Sequence, residues 1–192
     1  MKKMKIALLM LLAAVLILPS CKKGENDPFM SLKSRKARLC GEWELKEGTM
    51  TQTSGGTTAT YTFNGSTCTY SSSGMSGSAP YTQKITIDKD GTYKIETNND
   101  GNLSTEEGAW YFGGKNKELE LKDKESVVFI ETKYTSTSGG TTSTTTYSGA
   151  NCPSTTFLLD ELKGKEMIMI LDGSSTYTGG SSSTTGTMTF EK

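Results

Sequence analysis

Apolar and polar residues alternate along most of the chain after residue 40, the pattern of strands with one buried face. The apolar positions of these segments are Trp43 and Leu45, Ile85 and Ile87, Tyr93 and Ile95, Trp110 and Phe112, Leu119 and Leu121, Val127 to Ile130, Met167 to Leu171, and Met188 with Phe190. Tight-turn signals separate the segments, at Lys89-Asp90-Gly91, Asp123-Lys124 and Lys163-Gly164-Lys165. The pattern predicts an all-β, antiparallel up-and-down meander of about nine strands. Because closure removes exposed sheet edges, we expect a β-barrel in which the last strand pairs near the first.

The first 20 residues have the pattern of a secretory signal peptide. Three lysines at the start are followed by an uncharged run from Ile6 to Ser20. The apolar part of about 13 residues is shorter than the roughly 20 that a membrane-spanning helix needs. The segment Leu18-Pro19-Ser20-Cys21 resembles a bacterial lipobox, which implies cleavage before Cys21 and attachment of fatty acyl chains such as palmitate to it. The alternative is an uncleaved anchor with an incidental cysteine.

The chain divides into three parts on this interpretation. Residues 1–20 are the signal peptide, residues 21–37 a lipidated tether, and residues 38–192 the barrel domain. The tether is polar and conformationally loose at its start, and Ser31 to Leu39 is expected to form one or two helical turns. Since more than one acyl chain gives stable anchoring, we expect the protein on the outer membrane, with the periplasmic or cell-surface face left open.

Several short motifs within the strands point to one family. The segment Leu39 to Leu45 contains Gly-x-Trp, with Gly41 and Trp43, and it resembles the opening strand of lipocalin-like barrels. Together with the hairpin Ile87 to Tyr93, the segment Glu107 to Tyr111 and the closing Met188 to Lys192, the chain resembles the lipocalin-like lipoproteins of Bacteroidetes. The resemblance implies a small up-and-down barrel whose first tryptophan plugs one end. It does not imply a ligand, and we interpret Trp43 and Trp110 as core residues.

Two polar segments of the chain repeat each other. Thr53-Ser54-Gly55-Gly56-Thr57-Thr58 recurs at 137–142, and ten of 16 positions are identical when the match is extended to Cys68 and Cys152. A looser third version runs from Thr178 to Thr185. Because Ser-Gly-Gly favours turns and Thr favours strands, these segments predict long polar hairpins at one end of the barrel.

Three cysteines remain if Cys21 is lipidated, so one of them is left free. Three pairings are possible for Cys40, Cys68 and Cys152. Since Cys68 and Cys152 occupy equivalent points of the repeat, we expect these two to form a disulfide, which the exported compartment permits.

Composition excludes several classes of function. The net charge of 0 becomes −3 once the three lysines of the signal peptide are removed, which argues against nucleic acid as a partner. The sequence contains no histidine, so imidazole catalysis and histidine metal sites are excluded. With no nucleophile or phosphate-binding motif either, neither an enzyme nor a cofactor is expected.

One segment has the spacing of a calcium-binding loop. Glu96, Asn98, Asp100 and Glu107 offer oxygens at ligand positions, with glycine at the sixth position. Its flanks are strand-like, so a polar hairpin around Asn99-Asp100-Gly101 is the favoured interpretation and no metal is expected.

Two functions are consistent with these features. The first is a non-catalytic lipid-anchored barrel that binds a small apolar or amphiphilic molecule in its cup, the cavity then being lined by Tyr93, Ile95, Phe112 and Leu121. The second is a surface interaction protein whose Ser/Thr-rich hairpins contact a protein or a glycan.

Overall fold

The computed structural model describes residues 27, 33–118, 120–177 and 180–192. A short helix and eleven strands succeed one another: α1 (Arg35–Leu39), β1 (Gly41–Ser54), β2 (Thr57–Phe63), β3 (Thr67–Ser72), β4 (Met75–Ile87), β5 (Thr92–Asn99), β6 (Asn102–Phe112), β7 (Ser126–Ser138), β8 (Thr141–Thr146), β9 (Ser154–Leu162), β10 (Glu166–Tyr177) and β11 (Gly180–Glu191). A 3₁₀ turn at Gly149–Asn151 separates β8 from β9. In this described part, no helix is both long and apolar enough to cross a membrane.

The strands form one antiparallel sheet that closes as a ten-stranded barrel. The closure runs through β11, which pairs with β1 on one side and with β10 on the other. The ring continues through β9, β7 and β6, and β8 is attached to the edge of β7. The predicted all-β barrel is therefore confirmed, including the pairing of the last strand with the first.

The two ends of the barrel differ. At the end that we call the base, β1 pairs directly with β4, so the ring there has only eight strands. At the opposite end, the rim, the β2–β3 hairpin is inserted between β1 and β4. The alternation predicted from the sequence puts large apolar residues inside the base. The fully buried side chains there include Trp43, Ile85, Ile87, Val127, Phe129, Leu159, Leu162, Met167, Met169 and Phe190.

The rim carries the two-residue turns that join long strands. Both turn residues have positive φ at Gly55–Gly56, Ser73–Gly74, Asp100–Gly101 and Gly139–Gly140. Positive φ at both positions is the geometry that matches the twist of paired strands, and it favours glycine, Asn and Asp. The sequence repeat thus becomes a structural repeat, in which Thr53 hydrogen-bonds Thr58 at 3.1 Å and Thr137 hydrogen-bonds Thr142 at 2.8 Å. Thr178 and Gly179, in the third version of the repeat, lie outside the described residues.

Helix α1 and Asp27 attach the segment before β1 to the base. Ser34 caps the helix by accepting a hydrogen bond from the Ala37 amide at 3.1 Å. The carboxylate of Asp27 is fully buried, where it binds Arg35 and Arg38 and accepts a hydrogen bond from the Leu162 amide at 2.8 Å. The segment expected to be a loose tether is therefore docked on the barrel at Asp27, while the predicted helical turns are present.

One expected strand is absent. Leu121 belongs to the 113–125 connection between β6 and β7, where it makes a single bridge with Asn116. Leu119 lies outside the described residues. The extra strands β2, β3 and β8 come from the polar repeats, whose hairpins are longer and more regular than the apolar pattern alone reveals.

Candidate functional site

Two carboxylates point into the barrel above its core. On β6, Glu106 is in phase with the buried Trp110, and on β7, Glu131 is in phase with Val127 and Phe129. Because alternate residues of a strand share a face, both acids lie on the inner wall. Glu131 is paired with Gly108, two residues from Glu106 along β6, so the two acids are diagonal neighbours.

A cavity of about 170 Å³ lies inside the barrel at the level of Glu106. Its walls combine aromatic, aliphatic and polar side chains: Gln83, Ile95, Thr97, Ser104, Glu106, Phe129, Tyr134, Thr155 and Phe157. Beneath it, Tyr93 packs on Phe129 with ring centroids 4.6 Å apart, and Phe129 packs edge-on against Phe157 at 5.9 Å. The cavity thus has an aromatic floor and a wall with one acid group.

The hydroxyl of Tyr93 donates a hydrogen bond to the carboxylate of Glu106. Burial, together with this bond, raises the pKa of Tyr93, so the phenol stays protonated and holds Glu106 in place. Burial also raises the pKa of Glu131, and the nearby charge of Glu106 adds to the effect. Burial and the charge of Glu106 therefore both disfavour the ionised form of Glu131, and an acid with a perturbed pKa beside a cavity marks a candidate functional site.

Among the described strand residues, no lysine or arginine has the phase of this inner wall. The lysines of the barrel strands lie on the outside, where Lys84 pairs with Glu42 at 2.9 Å, Lys94 with Glu96 at 2.7 Å and Lys133 with Glu107 at 2.7 Å. Among the residues the structure describes above the core, Glu106 and Glu131 are the charged side chains in phase with the barrel interior. The interior is therefore electronegative.

A larger depression of about 520 Å³ lies mainly on the outer wall. Its outward-facing side chains belong to β1, β4, β5 and β6, and include Glu44, Thr82, Lys84, Glu96 and Asn98. Two of its charged groups, Lys84 and Glu96, already have opposite-charge partners. This depression is also more open to solvent, so we regard the interior cavity as the better candidate site.

The predicted lining of the cup is correct only in part. Ile95 lines the cavity and Tyr93 lies directly beneath it. Phe112 instead packs on Trp110 at the base, with ring centroids 5.4 Å apart, and Leu121 lies in the connection below. Gly41, Trp43 and Trp110 also lie at the base, where both tryptophans are buried.

The calcium-loop candidates form a hairpin. Glu96 and Asn98 lie on β5, Glu107 lies on β6, and Asp100 is in the turn between them. Asn98 accepts a hydrogen bond from the Gly101 amide at 3.0 Å, and both glutamates bind lysines. These contacts correspond to the hairpin interpretation, and in the described part of the chain no three acidic or cysteine side chains are grouped as a metal site.

The expected disulfide between Cys68 and Cys152 is absent from the structure. Cys40, Cys68 and Cys152 are free thiols in the described chain. Cys68 lies on β3, and Cys152 lies two residues before β9, which is five strands away from β3 around the ring in either direction. A disulfide requires Cα atoms within about 7 Å, so opposite sides of a barrel cannot supply it. Cys21 lies outside the described residues.

Both interior acids escaped prediction from the sequence. The signal was present, since Glu106 has the phase of Trp110 and Glu131 that of Phe129. The spacing of a calcium loop pointed instead to Glu107, whose side chain is on the outer face. A charged residue at a strand position where the alternation predicts an inward side chain indicates a site more strongly than the calcium-loop spacing does.

No protein-family model matches the sequence, and no curated protein matches it.

Proposed function

We propose that the protein is a non-catalytic lipoprotein of the outer membrane whose barrel binds a small ligand in its interior cavity. The observation that carries the proposal is the cavity of about 170 Å³ above the filled base. Pockets for drug-sized ligands are generally about 300 Å³ or larger, so this cavity suits a smaller molecule than a fatty acid. Its aromatic floor and polar wall favour an amphiphilic ligand.

The docking of Asp27 supports an arrangement in which the base faces the membrane. Five residues lie between Cys21 and Asp27, and the six residue steps from one to the other span at most about 22 Å when fully extended. Lipid attached to Cys21 would therefore hold the base close to the bilayer. The rim, at the other end of the barrel, would then point away from it and leave the cavity accessible from the aqueous side.

The anchor is tested by labelling cells with a palmitate analogue. We expect the wild-type protein and a Cys40→Ala variant to incorporate label, and a Cys21→Ala variant to incorporate none. Cys40 is a suitable control because it is a second cysteine close to the N-terminus. Equal labelling of the Cys21→Ala variant would overturn the anchor.

Ligand binding is tested by native mass spectrometry of the protein extracted from its own membrane. We expect an adduct on the wild-type protein that is lost in Ser104→Phe, which fills the cavity, and retained in Thr105→Phe. Thr105 is the adjacent residue of β6 and has the opposite phase. Wild-type protein without an adduct, or an adduct that both variants keep, would contradict binding in the cavity.

A second candidate function is recognition of a protein or glycan by the rim. It is favoured by the gathering of the polar hairpin turns at the end of the barrel remote from Asp27. Replacing Gly139-Gly140 and Gly55-Gly56 by longer turns would disturb such recognition without altering the cavity.

A further inference from the structure

We infer that the ligand of the interior cavity is a small organic cation, such as a primary or quaternary amine. The inference rests on the proposed function, since it names the chemical class of the ligand of the same cavity. Three features carry it: the acids of the inner wall, where the described strands place no lysine, the aromatic floor, and the space kept beside Gly108.

The first feature is a negative charge without an internal partner of opposite charge. Glu106 accepts a hydrogen bond from the Tyr93 hydroxyl, a neutral donor that brings no positive charge. Glu131 lies diagonally across from it on β7. Both acids are partly buried, and removing a carboxylate from water is unfavourable unless a cation or several donors compensate it. An ammonium group bound in the cavity would supply that compensation to Glu106, which lines it, and its charge would also act on the neighbouring Glu131.

The second feature is the aromatic surface next to these acids. Phe129 and Phe157 line the cavity, Tyr134 forms part of its wall, and Tyr93 supports the floor. Aromatic faces attract ammonium groups, and the attraction is stronger when the cation is desolvated. An anion would meet the repulsion of two carboxylates, and a purely apolar molecule would leave them without a partner.

The third feature is the space kept at the inner wall. Gly108 is paired with Glu131 and lies two residues from Glu106, and a Cβ atom there would be 1.9 Å from the Ile130 carbonyl oxygen and 3.0 Å from Tyr93 Cε1. Glycine thus allows β6 and β7 to approach closely while Tyr93 stays beneath Glu106. The cavity is large enough for an ammonium group with a few carbons.

The inference is tested by calorimetric titration of the mature protein in a detergent without an ammonium group. Choline is the probe, and 3,3-dimethylbutan-1-ol, in which carbon replaces the nitrogen, is the neutral control. We expect choline to bind at least about tenfold more tightly than the alcohol, as a desolvated cation–aromatic contact implies. Equal affinity for choline and the alcohol would overturn the inference that the ligand is a cation. An adduct in the native mass spectrum would still support binding of some ligand in the cavity.

Variants localise the effect. Glu106→Gln and Glu131→Gln are each expected to weaken choline binding about tenfold. Glu107→Gln, one residue further along β6 on the outer face, is expected to leave it unchanged. Loss of binding in Glu107→Gln, or none in the two interior variants, would overturn the assignment. Since Glu131→Gln is expected to be at least as stable as the wild type, misfolding will not obscure its result.

Two sources of cation share this chemistry, a free amine and the headgroup of a lipid. Ethanolamine and a short-chain phosphatidylethanolamine distinguish them in the same titration. Tighter binding of ethanolamine assigns the cavity to a free amine, and tighter binding of the lipid assigns it to a headgroup. Failure of every ammonium probe would overturn the inference.

Discussion

The ammonium of Lys192 lies 4.2 Å from the centre of the Trp43 ring and joins the end of β11 to the start of β1. The same nitrogen donates hydrogen bonds to the carbonyl oxygens of Arg38 at 2.6 Å and Cys40 at 2.8 Å. The indole of Trp43 in turn donates to the Leu39 carbonyl at 2.7 Å. One lysine therefore links α1, the first strand and the last strand at the base.

Removing this charge is expected to weaken the base. Lys192→Met keeps most of the aliphatic contact but loses the cation–aromatic contact and the two hydrogen bonds. We expect the free energy of unfolding to fall by about 1–2 kcal/mol. Urea denaturation measures this free energy of unfolding. The control is Lys117→Met, a change at an exposed lysine, for which we expect a change within about 0.5 kcal/mol. Equal effects of the two variants would show that Lys192 has no special role.

The buried carboxylate of Asp27 is expected to contribute more than any exposed ion pair. Asp27→Asn removes the charge that compensates Arg35 and Arg38, both of which are buried. Breaking a buried pair in this way costs about 3–5 kcal/mol, because the arginines remain buried. The control is Glu191→Gln, which removes the exposed pair with Lys46 and should cost at most about 1 kcal/mol. A small effect of Asp27→Asn would mean that the segment before α1 is not docked.

The raised pKa of Glu131 predicts a pH-dependent stability. In the folded state the acid binds its proton more tightly than in the unfolded chain, so stability falls as the pH rises from its ordinary value of 4.5 through the folded value. The titratable groups that face it are Glu106 on β6 and Tyr93 on β5, while β9 contributes the uncharged Thr155 and Phe157 to this inner face. Glu131→Gln should therefore raise the melting temperature at pH 7, and the difference should shrink below about pH 4.

Thermal unfolding measured across this pH range checks the prediction. A Glu131→Gln variant that is less stable at pH 7 would contradict it. Such a result would mean that the ionised carboxylate stabilises the barrel, which would remove the reason to regard it as a ligand contact.

The cysteines are expected to behave as thiols. Reductant should leave the melting temperature unchanged, and an alkylating reagent should modify Cys68 and Cys152 without prior reduction. Burial raises the pKa of Cys68, so its thiol should react more slowly than that of an unstructured peptide. A fall in melting temperature on reduction, together with unreactive thiols, would restore the bridge that the repeat suggested.

The fold was largely predictable because the buried residues of each strand recur with a period of two. Trp43, Ile85 and Phe129 are all buried as their phase requires. The resemblance between 53–58 and 137–142 also predicted two similar hairpins. The chain then continues differently after the two hairpins, since it enters β3 after Gly65 but a 3₁₀ turn at Gly149. Long-range strand pairing decides between these two outcomes.

The site was predictable to a smaller extent. Ile95 could be placed on the inner wall from its phase. The height of the cavity above the base could not be predicted, because it depends on how far the packed apolar side chains fill the barrel. The docking of Asp27 could not be predicted from the neighbouring sequence. Its partners Arg35 and Arg38 lie on α1, and they reach Asp27 only once the helix has formed and packed on the barrel. The disulfide failed because equivalent positions in a repeat need not be neighbours in a barrel.

The cavity above the base is the proposed ligand site, and amide NMR shifts on addition of choline test this assignment most directly. We expect concentration-dependent shifts of the inner-wall residues Ile95, Ser104, Glu106, Phe129 and Phe157, with Tyr111 and Val128, which face outward at the base, unchanged. Shifts confined to the outer wall would contradict the assignment of the cavity, and no shifts at millimolar choline would contradict a cationic ligand.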